Sequence, residues 1–156
     1  MYDKRFMNKA IELAIDNVKN GTGGPFGAVV VKDGEIISAC GNTVTTSNDA
    51  TAHAEINAIR EACRKLSAYQ LNGCEIYASC EPCPMCLGAI YWARPDKLYY
   101  ASNQDDAAEV GFDDSFIYHE ITLPHQQRSI PFIRHSEPLS GKEFKLWKES
   151  STKKPY

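Results

Sequence analysis

Two short segments hold residue types that can bind a metal and move a proton: His53-Ala54-Glu55 and Pro82-Cys83-Pro84-Met85-Cys86. One histidine and two cysteines make three protein ligands, whereas a structural zinc site normally closes with four. Three ligands leave the fourth position to water, which is the arrangement of a catalytic zinc. Zinc lowers the pKa of such a water towards about 7, so a nearby carboxylate can take its proton. Glu55, two residues from the histidine, is the natural general base. Taken singly each segment is weak, because a lone C-x-x-C also serves redox or structural roles. Cys80 stands three residues before Cys83 and would close a four-ligand structural site if its strand end turned it onto the metal. The fourth cysteine of an iron–sulfur run is absent. Cys40, Cys63 and Cys74 read as buried packing residues, and His119, His125 and His135 stand alone in polar contexts.

The two segments can act together only if the chain brings them to one place. Apolar residues at Met7, Ala10, Ile11, Ala14, Ile15 and Val18 give residues 3–19 one helical face. Gly21-Thr22-Gly23-Gly24-Pro25 ends that helix, and lacks the spacing and lysine of a phosphate cradle. Apolar runs at 26–32 and 35–40 flank Asp33-Gly34, a hairpin signal. A second helix is expected from near His53 to Leu66, with Ile56, Ile59, Cys63 and Leu66 as its stripe. Strands are expected at 74–80 and 97–101, separated by a helix over 84–93 that prolines open. Short helices are expected at 104–110 and 114–121, a last strand at Ile130–Ile133, and a final helix through Trp147 opened by a capping box at Ser140-Gly141-Lys142-Glu143.

The helix from His53 climbs about 20 Å and the strand from Cys74 descends about as far, so Cys83 returns to the level of His53. If the second, third and fourth strands are parallel neighbours, right-handed crossovers set the two helices side by side on one sheet face. Their N-termini then meet at the carboxyl edge of the strands, where ligands bind in open sheets. The pattern predicts an α/β fold, with a mixed, roughly five-stranded sheet and helices on both faces.

At 156 residues and 43% hydrophobic, the chain fits one compact domain with a full core. It has no apolar run long enough to span a membrane and no apolar centre near its charged N-terminus, so the expected compartment is the cytoplasm. The formal charge of −3 and scattered Lys and Arg residues favour a small neutral substrate over nucleic acid.

H-x-E followed by P-C-x-x-C is the signature of zinc nucleobase deaminases. Residues 48–55 (Asn-Asp-Ala-Thr-Ala-His-Ala-Glu) and 79–94, from Ser79-Cys80-Glu81 to Ala93-Arg94, resemble the cytidine/deoxycytidylate deaminase family. Within it, Gly-Gly-Pro-Phe-Gly-Ala-Val at 23–29, Gly-Phe-Asp-Asp-Ser-Phe-Ile-Tyr at 111–118 and the terminal Lys-Lys-Pro-Tyr resemble the short bacterial guanine deaminases. The resemblance covers essentially the whole chain and implies the three-layer α/β/α cytidine-deaminase-like fold. It implies one Zn2+ per chain held by His53, Cys83 and Cys86, with Glu55 as proton shuttle. It places Asn42 on the purine edge, Phe26 against the ring, the Ala54 N–H near the metal, Asp114 on guanine N–H groups, and Trp92 and Tyr156 in the pocket wall. It further implies a homodimer whose C-terminal segment, about 136–156, closes an active site, its own or its partner's. Guanosine deamination, tRNA adenosine deamination and a non-enzymatic structural zinc module remain as rival readings.

Overall fold

The computed structural model describes residues 1–156. Helix α1 (Lys4–Asn20) begins where the Asp3 carboxylate accepts from the Arg5 N–H at 2.9 Å, and ends at Gly21 in the left-handed region. Strands β1 (Gly27–Lys32) and β2 (Glu35–Gly41) form the expected hairpin. Asp33 and Gly34 take φ values of 51° and 80°, the double left-handed turn that matches strand twist. Next come a short α2 (Val44–Ser47), α3 (Ala54–Leu66), β3 (Cys74–Cys80), α4 (Pro84–Ala93), β4 (Lys97–Ser102) and α5 (Gln104–Glu109).

The sheet has four strands in the order β2-β1-β3-β4, with β1 antiparallel to both neighbours and β3 parallel to β4. Strand β2 therefore runs in the direction of β3 without pairing with it, because β1 lies between them. This corrects the expectation of three parallel neighbours. Helices α3 and α4 still pack together, since both crossovers land on the same sheet face.

Alternation along β1 builds three layers. Val29 and Val31 face Phe6, Met7 and Ala10 of α1, with Tyr77 beside them. Ala28 and Val30 face Ala54, Ala58 and Ala62 of α3, and Ile90 and Ala93 of α4. A strand covered on both faces has to be apolar at every position, which explains the unbroken Val-Val-Val run. The buried stripe of α3 is the alanine row, with Ile59, Cys63 and Leu66 only partly buried, so the helix backbone lies close to the sheet.

The chain divides into two compact units, Met1–Ser115 and Phe116–Tyr156. The second contains most of α6 (Ser115–Thr122), a single 3-10 turn and α7 (Lys142–Glu149). The expected strand at Ile130–Ile133 does not form, so the sheet has four strands and not five. Pro131 offers no N–H to a ladder. Phe132 packs locally, its ring 5.2 Å from His125 and 4.6 Å from the Arg128 guanidinium. The capping box also fails: Gly141 is the N-cap of α7, and the Ser140 hydroxyl accepts from the Glu137 N–H at 2.8 Å. No helix is long and apolar enough to cross a membrane.

Candidate metal centre and active site

His53 is the N-cap of α3 and Cys83 the N-cap of α4, with Pro84 at the first helical position and Cys86 in the first turn. The backbone at both caps is extended, with ψ of 156° and 169°, which turns the two side chains out of their helices. His53 makes no capping hydrogen bond. Its Nδ1 instead lies 3.5 Å from the Sγ of both Cys83 and Cys86. The three donor atoms all lie within 4.8 Å of one another. Glu55 is buried in the first turn of α3, where its Oε2 accepts from Cys86 Sγ at 3.4 Å.

Electrostatics at this cluster favour a cation. The adjacent Cys86 side chain, together with the His53 imidazole, holds the Cys83 thiol down to about 4. The same Cys83 sulfur pushes Cys86 up, and burial adds to the effect. The hydrogen bond to Cys83 raises His53, and burial raises Glu55. Two thiols this close cannot both ionise unless positive charge sits between them. Bond lengths of about 2.3 Å to sulfur and 2.0–2.1 Å to nitrogen, at tetrahedral angles, separate N from S by about 3.5–3.6 Å. The observed 3.5 Å spacings fit a zinc ion. Cys80 stands apart, with its Sγ donating to the Asn103 carbonyl at 3.3 Å, so the group has three donors and not four.

Around this centre the other expected residues are placed unevenly. The Ala54 N–H belongs to the first turn of α3, where backbone donors have no intrahelical acceptor. Asn42 is buried just after β2, and its Oδ1 accepts from the N–H groups of Gly24 (3.4 Å) and Val44 (3.1 Å). Its side-chain NH2 is thus the donor it can offer a ligand. The Asn42 N–H also donates to the Phe26 carbonyl at 3.1 Å. Phe26 meets Phe112 edge-on at 5.0 Å. Asp114 is half-buried, its carboxyl raised by burial and by the negative charge of Cys83. Trp92 is exposed near the far end of α4, about 13 Å along the axis from Cys83. Tyr156 is exposed in the second unit.

Sequence reasoning passed over two asparagines. Asn17 of α1 donates to the carbonyls of Asn42 (2.7 Å) and Gly24 (3.1 Å). Asn57 of α3 donates to the Gly41 carbonyl (3.0 Å), Thr43 Oγ1 (3.1 Å) and the Ala52 carbonyl (3.2 Å). A signal was there: Asn17 continues the Ala10–Ala14 stripe of α1, where an apolar residue is expected.

A three-layer sandwich with paired helix N-termini presenting His, Glu and two Cys defines a deaminase-type metal centre, and residues 1–102 match the cytidine and deoxycytidylate deaminase zinc-binding region. The chain belongs to that family. It is 56% identical over 156 residues to the guanine deaminase of Bacillus subtilis, covering both chains completely. The X-ray structure of that enzyme superposes with a TM-score of 0.97 over 100% of this chain and 99% of that one. A tRNA-specific adenosine deaminase of Aquifex aeolicus is 49% identical over 119 residues, 74% of this chain and 78% of that protein. A guanine deaminase structure from Nitrosomonas europaea, at 36% identity, gives a TM-score of 0.68 over 72% of this chain and 65% of that one.

Proposed function

We propose that this protein hydrolyses guanine to xanthine and ammonia at a zinc centre held by His53, Cys83 and Cys86. The observation that carries the chemistry is the buried Glu55 carboxylate, 3.4 Å from Cys86 Sγ and flanking a three-donor metal group. Full-length similarity to a guanine deaminase carries the choice of base.

Bound zinc supplies the Lewis acidity that lets water ionise near neutral pH. Glu55 takes the proton of the attacking water and delivers it to N3 of guanine as C2 becomes tetrahedral. Glu55 then takes the remaining proton from the hydroxyl now on C2 and passes it to the amine as the C2–N bond breaks, so that guanine and water become xanthine and ammonia. Burial keeps this carboxyl away from bulk water and raises its affinity for the proton it carries. The Ala54 N–H, at a helix N-terminus, is suited to an electron-rich ring or oxygen atom. The Asn42 NH2 donates to an acceptor on the purine edge, while Asp114 accepts from guanine N–H groups. Phe26 stacks against the ring.

The functional unit in this reading is a homodimer whose C-terminal segment closes an active site. Exposed Leu139, Phe144 and Leu146 give that segment apolar surface to bury. Six cysteines with no disulfide among them suit the reducing cytoplasm.

Ammonia release from guanine, guanosine, adenine, cytosine and cytidine tests the proposal. Turnover of guanine alone supports it, and turnover of guanosine or cytidine in place of guanine overturns the substrate. Similarity to the Aquifex enzyme favours a second reading, deamination of adenosine in tRNA. The charge of −3 weighs against it, and salt-dependent tRNA binding with adenosine deamination would establish it.

A further inference from the structure

Where β2 ends at Gly41, the next residues leave the sheet, and their carbonyls need partners outside the ladder. Side-chain amides from opposite faces of the sheet supply them. Asn57 of α3 takes the Gly41 carbonyl, and Asn17 of α1 takes the Asn42 carbonyl. All these acceptors are oxygens, so both amides must present their NH2 groups inward. The Thr22 hydroxyl fixes the other end of Asn17, donating to its Oδ1 at 3.0 Å.

Each amide also reaches a second element of the site. Asn17 binds Gly24, two residues before Phe26. Asn57 binds Ala52, immediately before His53, and the Ala52 carbonyl accepts again from the Thr43 N–H at 3.0 Å. The fit leaves no slack: a Cβ on Gly23 would overlap the Asn42 carbonyl, and one on Gly41 would lie 2.5 Å from Asn17 Oδ1.

We propose that Asn17 and Asn57 are positioning residues that clamp the Gly41–Thr43 segment from both sheet faces. Asn17 sets Asn42 for substrate, and Asn57 holds the same segment in register with His53. This inference rests on the reading of Asn42 as a substrate contact. A packing role alone would lower stability without separating substrate affinity from metal retention.

The test compares the zinc-loaded wild type with N17D, N57D, N42A and the N17D/N42A pair. An aspartate keeps the asparagine shape but cannot donate to the carbonyls. Four quantities are measured: guanine KM and kcat, zinc retention against a chelator, and hydrogen exchange of the Val44 amide, which reports the Asn42 side chain. For N17D, KM rises about tenfold and Val44 exchanges about tenfold faster, while kcat stays within about threefold and zinc is held as in wild type. In the N42A background the same change moves KM less than about twofold. N57D raises KM and also weakens zinc retention about tenfold.

Full additivity of N17D and N42A in KM overturns the Asn17 role, and wild-type zinc retention in N57D overturns the Asn57 role. If N17D does not fold, T22V frees the Asn17 amide more gently and is expected to raise KM about threefold; an unchanged KM and unchanged Val44 exchange overturn the proposal. Zinc retention and amide exchange need no turnover. An absence of guanine activity in the wild type would therefore fail the functional reading while leaving the clamp open to test.

Discussion

The Glu55 carboxylate accepts a hydrogen bond from the thiol of Cys86, so the candidate proton carrier and a candidate metal ligand touch directly at 3.4 Å. Proton transfer and metal binding are therefore separable by substitution. E55Q keeps the shape and polar contact of residue 55 but cannot shuttle a proton. Zinc analysis is expected to give one ion per chain, and an ammonia assay a fall of about 10²–10⁴ in kcat. Near-normal turnover would remove Glu55 from the mechanism.

The cysteines divide by what their sulfurs face. C86S is expected to bring zinc well below one per chain and to lower Tm, because bound metal stabilises the fold by mass action, about 4 kcal/mol at a thousandfold excess over Kd. C80S is expected to keep the full complement, since its sulfur faces the Asn103 carbonyl. Metal content by elemental analysis decides, and loss of zinc in C80S would point to a closed four-ligand site.

Two glycines should respond in opposite ways to an added methyl group. G23A drives a Cβ into the Asn42 carbonyl and is expected to lower stability by about 1–3 kcal/mol. Gly88 lies exposed within α4 with open space around it, and G88A is expected to gain up to about 1 kcal/mol in helix propensity. Urea midpoints at constant slope give both numbers.

Alkaline pH should expose one buried phenol. Tyr77 is fully buried; its hydroxyl accepts from the Asp3 N–H and donates to Glu75, and burial pushes its pKa up to about 12. Its folded-state pKa lies above the unfolded value near 10, so its contribution is complete below about pH 10. That contribution is lost as pH rises towards 12, by roughly 2–3 kcal/mol. Denaturant titrations from pH 9 to 12 should show a steeper fall in wild type than in Y77F. Equal slopes would refute the assignment.

Periodicity and turn chemistry made most of the first 109 residues legible. Asp33-Gly34 demanded its turn, prolines marked the start of α4, and helix rise against strand rise put Cys83 level with His53. Strand order was not legible in the same way. Nothing in β1 says that it inserts between β2 and β3, because a strand covered on both faces carries the same apolar run in either arrangement. Ile130–Ile133 misled because branched apolar residues look like a strand even where Pro131 and local aromatic packing leave no ladder to join. The metal donors could be found because their types are rare in such spacing. Asn57 escaped because an amide that caps a distant carbonyl leaves no local pattern, and Asn17 left only a polar break in the Ala10–Ala14 stripe.

The insertion of β1 between β2 and β3 also sets an order of assembly. The β1–β2 hairpin closes over two residues, whereas pairing β1 with β3 must first close the loop from Lys32 to Cys74. Only that slower closure carries Cys83 to His53. The three donors His53, Cys83 and Cys86 therefore cannot come together before that closure.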